Sequence, residues 1–244
     1  MKRFCVKCGK QTESLIGGLC KECYTGANRL FELPKKISIQ KDRRNGKIRH
    51  GRLWLANTDE NIAKILKEHI MKMARPARLL PQNLSIVLSS EGHEDLMKAE
   101  ISFDVKIDDL TIPFKENVKL DFDQVLSDAS MKLVSYYHEA IIQIRFEDVP
   151  LIERQREGVQ EVLVALQTVR ERGDDLAEAI DTKKVRGGYD LYIGSKKAAK
   201  MVARRFTKSK KAEVTYSNKL IGLDKQGKEN YRHTFCIRFF GKKP

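Results

Sequence analysis

The stretch Gly187-Gly188-Tyr189-Asp190-Leu191-Tyr192-Ile193-Gly194-Ser195-Lys196-Lys197-Ala198-Ala199-Lys200-Met201-Val202-Ala203-Arg204-Arg205-Phe206-Thr207 changes its period in the middle. Two glycines open a short run of aromatic and branched residues over 189–193, the pattern of a strand. Ser195 then stands where a helix wants its N-cap. Behind it Ala198, Met201, Val202 and Phe206 recur at helical spacing, an apolar face that can pack on strands. A strand followed by an amphipathic helix, taken with the mainly antiparallel strands and few helices expected on either side, belongs to the α+β class.

Working outward, Asp148 and Pro150 open a long helix whose stripe is Leu151, Ile152, Val159, Val162, Leu163, Leu166 and Val169, ending at Arg172-Gly173. A shorter acidic helix is expected over 174–180. Alternating strands over 212–222 and 229–240, joined by a turn near Asp224 and Gly227, complete a C-terminal α-α-β-α-β-β domain. Upstream, Met97, Ala99, Ile101, Phe103, Val105 and Ile107 alternate with mostly polar residues, which gives a strand with one face on a core. Further strands are expected over 83–90, 111–122 and 132–146. The last is a near-continuous apolar run, ambiguous between strand and helix, and is read as strand. Thr58 caps a helix carrying Ile62, Ile65, Leu66 and Ile70, which stops before Pro76. Between residues 33 and 54, Asn45-Gly46 separates two extended runs and predicts a hairpin. The expected organisation is a zinc-binding knuckle (1–30), a mainly antiparallel β-rich middle domain with one helix (31–148) and a basic α+β RNA-binding domain (149–244).

The first 30 residues are too few to fold on a core and need a staple. Cys5-x-x-Cys8 and Cys20-x-x-Cys23, eleven residues apart, provide one. Two such knuckles suit one structural, tetrahedral zinc with four thiolates and no open position for water. Gly9 stands where a knuckle calls for positive φ, and Gly17-Gly18 supplies the return turn. A rubredoxin-like iron site, a dithiol redox pair and a coincidence of spacing are the competing readings. Cys236, alone in an alternating strand, reads as a packed thiol.

Charge is unevenly placed. The chain is +14 overall, with 41% hydrophobic residues among 244. Residues 1–52 carry a net +10, residues 53–180 a net −9 and residues 181–244 a net +13. Two basic ends around an acidic middle favour contact with a polyanion, because each neutralised phosphate releases condensed counterions. The candidate phosphate-binding residues are Lys196, Lys197, Lys200, Arg204, Arg205, Lys208, Lys210 and Lys211, a run with no acidic neighbour. The plain alternative is a solvated helix face. The helix N-terminus at Ser195 is a further place for a phosphate. RNA is favoured over DNA, since no helix-turn-helix, zipper or linked-finger pattern occurs. No P-loop, GxGxxG, HExxH or GxSxG motif is present, and His50, His69, His93, His138 and His233 are scattered, so no enzyme is expected. The doublets Tyr136-Tyr137 and Phe239-Phe240 read as core, the alternative being strand aromatics that stack on bases. No apolar run approaches the ~20 residues of a membrane span. The start Met1-Lys2-Arg3-Phe4-Cys5 lacks the apolar segment of a secretory signal, so a cytoplasmic location is expected.

Several of these residues together resemble the family of nonsense-mediated decay protein three, the nuclear export adaptor of the large ribosomal subunit, in a short archaeal-type form. The resemblance rests on Cys5-Val6-Lys7-Cys8-Gly9, Gly18-Leu19-Cys20-Lys21-Glu22-Cys23-Tyr24, Gly51-Arg52-Leu53-Trp54 and Tyr136-Tyr137-His138-Glu139-Ala140-Ile141-Ile142-Gln143-Ile144-Arg145. It continues through Tyr189-Asp190-Leu191-Tyr192 and Ser195-Lys196-Lys197-Ala198 to Tyr231-Arg232. It implies a non-enzymatic factor of large-subunit maturation that contacts ribosomal RNA, with ribosomal proteins or other assembly factors as further partners. A second pair of Cys-x-x-Cys motifs usual in that family corresponds by position to Asp42 and Asn45, and to Ser127 and Ser130. One zinc per chain is therefore expected. The alternative function is a zinc-containing interaction adaptor that recruits a partner through its acidic middle.

Overall fold

Ala99, Ile101, Phe103 and Val105 are all buried, as their alternation requires, and the first sheet is built around them. The computed structural model describes residues 3–28, 32–74, 80–90, 96–107, 110–147, 152–209, 212–223 and 226–240. The chain divides into two units, Met1–Val125 and Leu126–Pro244.

The first unit opens with β1 (Arg3–Phe4), β2 (Gln11–Thr12) and α1 (Lys21–Ala27). There follow β3 (Lys36–Asp42), β4 (Ile48–His50), β5 (Leu53–Leu55), α2 (Asp59–Ala74), β6 (Pro81–Ser90), β7 (Leu96–Ile107) and β8 (Leu110–Val125). They form a six-stranded sheet in the order β5-β4-β3-β8-β7-β6, antiparallel except where β3 runs parallel to β8. The Asn45-Gly46 turn is present, with Gly46 at φ 71° and the Asp42 N–H bonded to the Lys47 carbonyl. Thr58 caps α2 through the Asn61 N–H at 3.3 Å. From α2, Ile62, Leu66 and Ile70 enter the core, each worth about 1.5–3 kcal/mol of burial. Pro113 is accommodated in β8 because that end of the strand pairs with β7 alone.

The second unit holds α3 (Asp128–Val134), β9 (Ala140–Glu147), α4 (Ile152–Glu171), β10 (Ala179–Val185), β11 (Gly188–Ile193), α5 (Lys196–Ser209), β12 (Ala212–Leu223) and β13 (Glu229–Phe240). Its five strands lie in the order β10-β11-β9-β13-β12, with β9 parallel to β13 and the other pairs antiparallel. Helices α4 and α5 pack on this sheet. Val162 and Leu166 of α4 and Val202 and Phe206 of α5 share one core with Ile142, Ile144, Leu191, Ile193 and Ile237.

The fold is α+β as expected, but four elements differ. Residues 174–180 are no helix: Asp174 accepts the Leu176 N–H at 3.2 Å in a turn, and the chain then pairs as β10 along β11. The C-terminal order is therefore α-β-β-α-β-β. The strand expected over 132–146 begins only at Ala140, and α3 precedes it, capped by the Ser127 hydroxyl on the Ser130 N–H. The boundary expected between 148 and 149 lies inside the second unit, because β9 is the middle strand of its sheet. Tyr136, Tyr137 and Phe240 are exposed rather than core, only Phe239 of the two doublets packs on the core, and the Tyr136 backbone turns into the left-handed region at φ 57°. The opening of the long helix at Asp148 and Pro150, and the stop at Pro76, lie outside the described residues.

Candidate metal centre and candidate nucleic-acid interface

The four cysteines converge. Their sulfurs all lie within 4.8 Å of one another, and the Cys8 and Cys20 sulfurs are 3.7 Å apart. A tetrahedron of thiolates about 2.3 Å from zinc has edges of about 3.8 Å, so the donor set fits one structural zinc. The knuckle geometry follows from the chain. The Gly9 N–H bonds the Cys5 carbonyl with Gly9 at φ 71°, and the Val6 N–H bonds the Gly18 carbonyl with Gly18 at φ 85°. The second knuckle continues into α1, where Cys20 occupies the N-cap position without a side-chain cap, its sulfur turned to the other thiols. Lys21 Nζ donates to the Thr111 carbonyl at 2.8 Å, which ties α1 to β8.

Without metal the thiols are unequal. The Cys20 N–H, helped by those of Cys8 and Lys7, outweighs burial and brings Cys5 down to about 6. Hydrogen bonds shared with Cys8 and Cys20 push Cys23 up to about 12. N–H groups aimed at sulfur favour a thiolate there, which is the form that binds zinc. The positions matched to a second ligand pair do other work. Asp42 is buried and accepts the Arg44 N–H at 2.8 Å, and Asn45 accepts the Lys47 N–H at 2.9 Å. Ser127 caps α3, and Ser130 is buried within it.

On α5, Lys196, Lys197, Lys200, Arg204, Arg205 and Lys208 are all exposed, spread over about half of the circumference at 100° per residue. None is paired with a carboxylate among the described residues. The buried half is Ala198, Ala199, Val202, Ala203 and Phe206. Met201, expected on it, is exposed instead, since its angle falls among the cations. Lys210 and Lys211 lie outside the described residues. The helix N-terminus is already taken. The Lys196 N–H donates to Glu139 Oε2 and the Ala198 N–H to Ser195 Oγ, both at 3.1 Å, so a carboxylate stands where a phosphate was expected. Cations of the first unit are partly engaged: Lys10 pairs with Glu22 at 2.8 Å and Arg49 bonds Gln40 and the Gly51 carbonyl.

Among the described residues, cavities lie along both flanks of α5, and a further one of about 590 Å³ joins Lys196 and His233 to Lys228 and Glu229. The largest, about 810 Å³, has Glu157 and Glu161 beside Arg156 and Arg205, a mixed field unsuited to a polyanion. The one of about 500 Å³ runs between α5 and the β12–β13 hairpin with Lys196, Lys200 and Arg204 on one wall and Tyr216, His233 and Phe235 on the other. No carboxylate is among its described lining residues, and the nearest one acting on it is Glu139, at the N-terminus of α5. In the sequence Tyr216 carries no signal of a site, and His233 is one of five scattered histidines. Their only signal was the alternation of the two strands, and their meeting depends on the register that sets Tyr216 opposite Phe235 and Asn218 opposite His233. Cys236, between the core residues Phe235 and Ile237, is half-buried on the other face of the sheet.

His233 is held below the ordinary 6.5, first by burial and then by Lys196 and Lys200, which together outweigh the opposite pull of Glu139. The folded chain thus binds fewer protons at this ring than the unfolded chain does. The stability it contributes is present above pH 6.5 and declines as pH falls below that value. NMR titration of the ring is expected to give a midpoint below 6.5, moving up when Lys196 and Lys200 are both changed to Gln. A midpoint at or above 6.5 in the parent chain would contradict this packing.

No helix among the described residues is long and apolar enough to cross a membrane. A comparison with curated proteins finds no match. Two family models do match: the NMD3 N-terminal domain over residues 5–127 and the NMD3 second domain over residues 137–239, on either side of α3. The matched stretches contain all four cysteines, the whole of α5 and the hairpin beside it, and they are consistent with a ribosome-associated, non-enzymatic role. With nearly the entire described chain accounted for in this way, the protein belongs to the NMD3 family.

Proposed function

We propose that this protein is a non-enzymatic factor that binds the large ribosomal subunit during its maturation and contacts ribosomal RNA through α5, with Cys5, Cys8, Cys20 and Cys23 holding a zinc that shapes the N-terminal segment. The observation that carries the proposal is the exposed cationic half of α5, six Lys and Arg side chains without a carboxylate partner among the described residues. Folding gains nothing from such crowding of like charge, whereas a phosphate backbone relieves it. Lys and Arg projecting from a helix give affinity and placement, not sequence readout. Family membership supports the choice of a ribosomal partner.

Cosedimentation with purified large and small subunits across a salt series tests this. Binding to the large subunit is expected to weaken steeply with salt. Lys200→Glu with Arg204→Glu should lower affinity about tenfold or more and flatten the salt dependence by about two contacts. Undiminished binding of this double variant at moderate salt would remove α5 from the interface. A partner retained after nuclease treatment would favour the adaptor reading.

A further inference from the structure

We propose that the groove between α5 and the β12–β13 hairpin receives an unpaired nucleotide of an RNA strand, with the base on the Tyr216–His233 surface and the adjoining phosphates on Lys196, Lys200 and Arg204. The proposal rests on the RNA-contact reading of α5 and goes beyond it by naming the form of RNA.

The argument starts from the two rings. Tyr216 and His233 lie within 17° of parallel with centroids 5.9 Å apart, and the Tyr216 hydroxyl and His233 Nδ1 share a 2.7 Å hydrogen bond. So short a bond between the hydroxyl and a ring nitrogen sets the rings beside each other, edge to edge, rather than one fully over the other. The result is a flat shelf wider than either ring, and Phe235 supports it with its centroid 5.1 Å from that of Tyr216. Tyr216 nevertheless remains 55% exposed, more than a ring in a closed core would be. Nothing in folding requires an aromatic face to be kept flat and open beside three cations.

Charge then selects the occupant. Lys196, Lys200 and Arg204 follow one another about 6 Å apart along the helix axis, a row that a sugar–phosphate chain can track. The groove offers a π-face for a base and cations for phosphate, the two elements by which single strands are held. A base inside a duplex has both faces covered by its stacked neighbours and cannot present one to Tyr216. The exposed outer face of α5, with Lys197, Arg205 and Lys208, is enough for duplex phosphates alone. The volume of about 500 Å³ is that of a pocket for a small-molecule-sized group rather than for a helix.

The test uses the full, zinc-loaded chain with two labelled probes of equal length: a single-stranded oligoribonucleotide carrying one 2-aminopurine, and a duplex RNA. Binding of the single strand should quench the 2-aminopurine as it stacks. Tyr216→Leu should weaken single-strand binding roughly tenfold and abolish the quenching, while duplex binding stays within twofold. Tyr216→Phe should retain most of both. Zinc content and thermal transition, measured for each variant, guard against a folding defect, and the exposure of Tyr216 makes one unexpected. Equal effects of Tyr216→Leu on single strand and duplex, or none on either, would overturn the proposal. So would polyglutamate binding that is as tight as the single strand and as dependent on Tyr216, because the groove would then be a site for acidic peptide. If Lys200→Glu with Arg204→Glu spares both RNA probes, the underlying RNA reading fails, and that result is distinct from the others.

Discussion

Serine at position 20 is expected to empty the metal site: zinc content of the purified protein falls from one per chain to near zero, while the parent chain holds one and not two. Cys20 is 4% exposed and its sulfur sits 3.7 Å from that of Cys8. Replacing it leaves three thiolates and a hydroxyl that is a poor zinc ligand at neutral pH. Apparent zinc affinities in small thiolate sites reach about 10–16 kcal/mol, and in such segments binding and folding are one event. The segment from Arg3 to Ala27 has little apolar burial of its own beyond Cys5, Ile16 and Cys20, so loss of the metal should release its structure. Amide exchange should therefore rise sharply through residues 3–27. The second unit, with its own core, should stay protected. Cys20→Ser protein that keeps its zinc would refute the ligand set, and a parent stoichiometry near two would mean that a second site exists elsewhere.

Gly188→Ala should be the most damaging single-methyl change in the second unit. A Cβ at this position would lie 1.8 Å from the Ile144 carbonyl oxygen and 2.9 Å from its carbon, both backbone atoms of the neighbouring strand. Neither can turn aside as a flexible side chain would. Strands β9 and β11 must move apart, and β9 is central to the sheet, with Ile142 and Ile144 fully buried. We expect a loss of about 4 kcal/mol or more, the range reserved for substitutions that break the core geometry. The neighbouring Gly187→Ala is the control. It has φ +80° but nothing within 4 Å of its Cβ, so only left-handed backbone strain of about 1–2 kcal/mol is incurred. Urea unfolding followed through the second unit checks both. Equal midpoints for the two variants would show that β11 does not approach β9 this closely.

These contrasts mark how far local sequence reaches. The cysteine pairs were legible because a knuckle is a short-range object: spacing, a glycine at Gly9 and chelation suffice. The core face of β7 and the stripe of α2 were legible because burial on one side imposes a period of 2 or 3.6. The cationic half of α5 was legible for the same reason, with the apolar half defining its complement. Residues 174–180 misled because a short polar window carries no strong period. Its outcome as turn and strand depends on the pairing of Ala179 with Ile193, and on Ser195, whose hydroxyl donates to Asp174 at 2.6 Å from 21 residues away. The start of β9 misled in a similar way, since Ser127 and Ser130 make a seven-residue helix too short to show a stripe.

By itself, then, the sequence determined the α+β class, the zinc ligand set and the basic helix, all of which follow from interactions spanning a few turns or one loop. Tertiary structure alone decided that β9 belongs with the C-terminal strands, that the N-terminus of α5 is closed by Glu139, and that Tyr216 and His233 meet in a groove walled by Lys196, Lys200 and Arg204. The physical reason is common to all three: each depends on strand register or on a side chain from a separate element, and such pairings are selected by the packing of the whole core rather than by the residues on either side.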